Sequence, residues 1–234
     1  MPILLLLHEP WTTLTDYGMA LEALLFAFLL WKGLLWKGLL NGGGRKAEKH
    51  SDERVRSSVV GLWAIAFVSV AIASTAAGTY HGFQPELSLE GKWLLWRTMT
   101  YALGCASAFI LAATVVSELP RWMQGWGMGA IALKSLLHWN WTRSNPAFNG
   151  IVIDYLSAML LVLLLHLPQC WVKAHGRWMM AGVLISFGAA AVQGIQFNLS
   201  DAIDHNVLYH LVQMAALLFF YQGACVLQHS SLRS

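Results

Sequence analysis

Charge is what this chain has least of. Asp, Glu, Lys and Arg make up 12% of its 234 residues, about half the roughly 25% usual in soluble domains. That scarcity excludes a disordered chain and argues against an ordinary soluble enzyme. Cysteine is also sparse. Cys105, Cys170 and Cys225 are scattered, which excludes a disulfide scaffold and a cysteine metal cluster and suits buried thiols. The formal net charge of +3 is too small to argue for a nucleic-acid partner. No internal repeat is evident, and the connections leave no room for a second domain.

Apolar residues are abundant. They make up 57% of the chain, with twelve tryptophans and a mean hydropathy of +0.53. A membrane-crossing helix needs about 20 mostly apolar residues. Seven stretches meet or approach that length, over residues 17–36, 59–80, 94–116, 122–139, 151–167, 179–195 and 207–227. The fourth is the weakest, being glycine-rich and carrying Lys134. Runs this long exclude transmembrane strands, which need only about 9–11 alternating residues. The expected fold is therefore all-α, a single integral membrane bundle of seven transmembrane helices spanning residues 1–234. Residues 41–56, three glycines followed by a charge run, are expected to form a flexible basic loop.

Lys and Arg concentrate in cytoplasmic loops. The first loop holds Arg45, Lys46, Lys49, Arg54 and Arg56, the third Arg121, and the fifth Lys173 and Arg177, with Arg233 in the tail. The even loops hold only Lys92 and Arg143. This bias predicts an amino terminus outside and a carboxy terminus in the cytosol. The compact loops suit a bacterial cytoplasmic membrane.

Given that topology, the polar residues inside the spans gather at the outer end. Glu22, His81, Arg97, Lys134 and Asp154 lie in the outer parts of the first five spans. Gln193 and Gln196 close the sixth, and His205, Asn206, His210 and Gln213 open the seventh. The inner half reads as nearly bare. Ionisable groups are expensive in a bilayer and mark function by default, so a polar cavity lined in part by Glu22, Asp154, Asn206 and Gln213 is expected at the outer face. His138, beside Trp139 and Trp141, reads instead as an interfacial residue.

Asn206, His210 and Gln213 follow i, i+4, i+7 spacing and share one helix face. Asp204 or Asn206 is a candidate helix cap. His205 precedes His210 by five residues, about 140° around a helix. The two can share an ion only if His205 sits in the turn before the helix. Three neutral imidazoles with an open water position suit catalytic zinc, and His81 lies at the same expected depth. A hydrogen-bonding role is the plainer alternative for each histidine. In the second span, Ser74 lies seven residues before His81 on the same face, and Gly78 permits a close helix approach.

A histidine late in the second of seven helices and paired histidines opening the seventh resemble the CREST superfamily. That superfamily includes alkaline ceramidases, progestin and adiponectin receptors and glycolipid-anchor remodelling enzymes. The resemblance covers the whole chain as topology, and His81 with the 205–210 segment as motif. It implies a zinc ion held by His81, His205 and His210. It also makes Glu9, Asp16 and Glu22 look like a sparse version of the ceramidases' amino-terminal acidic segment. The chain departs from the superfamily pattern at Ala77, where a serine is usual, and in the five-residue spacing of His205 and His210.

The implied activity is zinc-dependent hydrolysis of a lipid amide or ester, with the zinc-bound water as nucleophile. Asp204, Asp201 or Glu86 would shuttle the proton, and Arg97 or Ser74 would steady the oxyanion. The alternative is a non-enzymatic receptor, sensor or assembly protein that binds a membrane lipid in the same place. A haem protein fits less well, since no opposing histidines lie at matching depth. A transporter lacks its broken helices.

Overall fold

The computed structural model describes residues 7–40, 47–145, 148–200 and 202–229. The expectations for residues 41–46, Asp201 and Arg233 lie outside these. Among the described residues the chain forms seven α-helices and no strand: α1 (Pro10–Leu40), α2 (Ala47–Phe83), α3 (Leu89–Glu118), α4 (Arg121–Ser144), α5 (Phe148–His166), α6 (Ala174–Ile195) and α7 (His205–His229). Length and apolarity keep these segments helical, because a helix satisfies every backbone group internally. One boundary moves. The basic stretch expected as a loop over 41–56 is helical from Ala47 onward. Ala47, Glu48, Lys49, Glu53 and Arg54 are all good helix formers, so α2 starts well before its apolar run.

Six helices close a ring in the order α1, α2, α3, α5, α6, α7, with α7 packed back on α1 and α2 reaching across to α7. α4 stands outside this ring against α3 and touches α5. The six ring helices are long and apolar enough to cross a membrane, and α4 is not. Gln124, Lys134 and three glycines dilute its apolar character.

α4 nevertheless runs the length of the bundle. Glu118, the last residue of α3, meets His166, the last residue of α5. α3 and α5 are therefore parallel, and α4 must return between their opposite ends. Contacts along the way agree. Lys134 Nζ donates to Ser107 Oγ at 2.9 Å, and the His138 ring lies on Gly104. Tryptophans flank this helix at both ends. Trp122 and Trp126 lie at one and Trp139 and Trp141 at the other, all exposed. The 19 helical rises from Trp122 to Trp141 span about 29 Å, close to the roughly 30 Å hydrocarbon thickness.

The middle of the ring is filled by Phe26, Leu30, Trp63, Phe67, Met159, Met179 and Phe220. Phe26 stacks on Tyr221 with centroids 4.4 Å apart, and Trp63 stacks on Phe220 at 5.5 Å. α6 and α7 approach through reciprocal glycines. A Cβ at Gly182 would lie 2.7 Å from the Phe220 ring, and one at Gly223 2.7 Å from Met179 Cε. Such small-residue contacts let membrane helices pack backbone to backbone. Leu21, Phe28, Leu133, Leu164 and Ile195 face outward. A monomeric soluble protein rarely exposes that much contiguous apolar surface, and the chain is a multi-pass helical membrane protein.

Candidate functional site

At one pole of the ring, the starts of α1 and α7 meet the end of α2. Gly78 makes the approach possible, since a Cβ there would lie 3.0 Å from Asp16 Cβ. The amide of His8 donates to the Gly82 carbonyl at 3.0 Å, holding the chain before α1 against the end of α2. Two acids of the amino-terminal segment each face a histidine. Glu9 Oε2 is 2.8 Å from His81 Nδ1, and Asp16 Oδ1 is 3.3 Å from His210 Nε2. The second pair is buried, with the Asp16 side chain 1% exposed.

Hydrogen-bond inventory at this pole is lopsided. Thr15 Oγ1 donates to the Thr12 carbonyl at 2.9 Å and lies 3.0 Å from His210 Nδ1. When that hydroxyl gives its one proton to the Thr12 carbonyl, Nδ1–H of His210 donates to Thr15. In that neutral tautomer Nε2 is an acceptor facing Asp16. The contact to Asp16 is close but not aligned as a hydrogen bond, and both Asp16 carboxylate oxygens lack a hydrogen-bond partner. Glu22 Oε2, Gln193 Oε1 and Gln213 Oε1 are likewise buried without a donor. The amide nitrogens of the two glutamines are engaged. Gln193 Nε2 donates to Asn206 Oδ1 at 3.1 Å, and Gln213 Nε2 to the Tyr155 hydroxyl at 2.9 Å.

The three histidines expected to share a zinc ion do not converge. His81 is held by Glu9, His210 by Thr15 and Asp16, and His205 Nδ1 by Asn198 Oδ1 at 3.0 Å. His205 is the first residue of α7, but its ring turns to the α6–α7 connection. The residues at this pole do not fit the ion that the superfamily resemblance implies. The expected helpers also have other work. Asp204 caps α7, accepting from the Val207 amide at 2.9 Å. Arg97 is exposed and lies 5.3 Å from the Trp93 ring centroid, a cation–π contact that suits an interfacial anchor. Ser74 is buried in α2, two turns and about 10 Å of helix before His81. The shared face of Asn206, His210 and Gln213 does turn inward, with His210 and Gln213 buried.

Asp154 does not line the same cluster as Glu22. It forms an ion pair with Lys134 of α4, with His138 Nδ1 3.6 Å away. His138, expected at the interface, is buried against Gly104. This arrangement neutralises the charge that α4 brings into the bundle.

The opposite pole is not bare. Glu118 Oε1 is 2.8 Å from His175 Nε2 and 3.5 Å from His166 Nδ1. Lys173 Nζ lies 3.5 Å from Glu118 Oε2. The Glu118 and His166 side chains are 1% and 2% exposed. His166 Nδ1 has no hydrogen-bond partner. Among the described residues this is the one group of three metal-capable side chains, with ligand atoms all within 4.8 Å of one another.

Residues 11–229 match the model of a family of unknown function, DUF6962. The chain belongs to that family. No curated protein and no solved structure matches it. The match covers all seven helices of this DUF6962 member, from the first turn of α1 to the end of α7, so both poles lie inside the shared fold.

Glu118, His166 and His175 escape a reading based on depth in single helices, because each stands at a helix end where polar residues are ordinary. Two signals do exist. His166 and His175 flank a short turn containing Pro168, and histidines on either side of so short a connection must lie near each other. Glu118 is an acid at an end otherwise rich in Arg and Lys, where a buried carboxylate needs a partner.

Proposed function

We propose that this membrane protein binds an amphiphile at the His210 pole, through a head group that carries hydroxyl, amide N–H or ammonium donors. The observation that carries this is the set of buried oxygens without donors, on Asp16, Glu22, Gln193 and Gln213. Each unmet buried acceptor costs about 1–3 kcal/mol, so four residues of one chemical sense in one half of the bundle favour a ligand of the opposite sense. The superfamily resemblance supports a lipid as the source of that head group. A zinc-dependent lipid hydrolase rests on the resemblance alone, since the histidines at this pole engage separate partners.

In this proposal α4 is a seventh span, its Lys134 neutralised by Asp154 and its ends marked by tryptophans. The amino terminus is then outside and the carboxy terminus cytosolic, because Arg54, Arg56, Arg121, Lys173 and Arg177 all lie toward the Glu118 pole. The amphiphile site faces outward, and the compact loops suit a bacterial cytoplasmic membrane.

Native mass spectrometry of the detergent-purified protein tests the binding. A retained lipid with donor groups in its head, lost on Asp16→Asn, is expected. A folded protein that holds only detergent, and takes up none of a panel of amino- and hydroxyl-bearing lipids, would overturn it.

A further inference from the structure

We propose that Glu118, His166 and His175 hold a divalent transition-metal ion where the ends of α3, α5 and α6 meet. Two imidazoles and a carboxylate form a donor set that suits zinc and other first-row ions, and a three-ligand set leaves a coordination position open. The ligand atoms already lie within 4.8 Å of one another. Bonds of about 2.0–2.1 Å in a tetrahedral site separate ligand atoms by about 3.3 Å, so closure needs only small side-chain rotations.

The second observation is His166. Its ring is buried, and Nδ1 faces Glu118 Oε1 at 3.5 Å without a hydrogen bond. A nitrogen in that position either costs desolvation or awaits an electrophile. The Glu118–His175 contact, at 2.8 Å, is of the kind that metal binding replaces, with the ion substituting for the proton between them. Helix polarity adds to this. Glu118 and His166 are the last residues of α3 and α5, and helix carboxy termini favour cations. His175 enters from the first turn of α6, which opposes them, so two ends outweigh one. Lys173 is 41% exposed at its side chain and lies beside the outer carboxylate oxygen. It serves as a tethered cation that an arriving metal displaces.

This site is separate from the amphiphile pole and stands or falls without it. The test uses the full chain in detergent, stripped of metal and titrated with Co²⁺ and then Zn²⁺, with metal content measured per chain. About one ion per chain is expected, with a visible Co²⁺ spectrum that Zn²⁺ abolishes. His166→Asn and His175→Asn should each weaken uptake by more than the roughly 10–100-fold that losing an outer-shell partner costs, and His81→Asn should leave it unchanged. Lys173→Ala, at a half-buried position, should tighten binding several-fold by removing the competing cation. No uptake by folded wild-type protein overturns the proposal. So does uptake lost with His81→Asn but retained in His166→Asn, or weaker binding in Lys173→Ala, which would make the cluster an ion-pair clamp.

Discussion

The two poles of the ring are built from similar residues and satisfied in opposite ways. At the His210 pole, acids and amides outnumber the donors that reach them, and oxygens are left over. At the Glu118 pole, two imidazoles and an ammonium surround one carboxylate, and a nitrogen is left over. What remains unmet states what each pole would receive, a hydrogen-bond donor in one case and an electrophile in the other. Counting ionisable residues along the chain does not separate these cases. Accounting for each proton and lone pair does.

The largest effect should come from the bond that lets α4 join the bundle. Asp154→Leu leaves Lys134 without its partner beside α3 and α5, and removing one member of a buried pair costs about 3–5 kcal/mol. Thermal unfolding in detergent should show it, and Lys134→Met added to Asp154→Leu should recover most of the loss. If the double variant is no better than the single one, the pair is not what compensates α4. The two poles would then not be held in register by a full-length fourth helix.

Glu118→Gln should rank next. It removes the charge that His175 and Lys173 share while keeping an acceptor, and hydrogen bonds to charged groups contribute about 1.5–3 kcal/mol. The matching change at the other pole, Asp16→Asn, should cost little or raise stability slightly. It supplies an amide donor where the buried oxygens have none. Opposite signs for these two isosteric amides, read as shifts in unfolding temperature, would be the sharpest sign that the poles differ. Equal losses would remove the contrast.

Much of this architecture is legible in the sequence because membrane helices announce themselves by length and apolarity. The inward face of Asn206, His210 and Gln213, the close approach at Gly78 and a cap at the start of α7 follow from local spacing. The acids before and within the first span meet the histidines of that pole, Glu9 with His81 and Asp16 with His210. The convergence of side chains from separate helices does not follow from spacing. His81, His205 and His210 gather toward one pole, but rotation about each helix axis sends their rings to different neighbours. Glu118 and His175 are 57 residues apart and meet only because α3 and α5 run parallel. That depends on α4, the helix with the weakest apolar signal. The Lys134–Asp154 pair is illegible for the same reason, since it joins α4 to α5.

Asp204 is the smallest test and the cleanest for roles at the His210 pole. As a proton shuttle it would be indispensable to any chemistry there. As the cap of α7 it satisfies the Val207 amide, and Asp204→Ala should cost about 1 kcal/mol. Asp204→Ser keeps a capping oxygen but no carboxylate, so it should recover most of that stability and retain the bound amphiphile. Should Asp204→Ser restore stability yet lose the ligand, Asp204 would belong with Asp16 among the groups that meet it. The cluster would then extend from the ring interior to the first turn of α7.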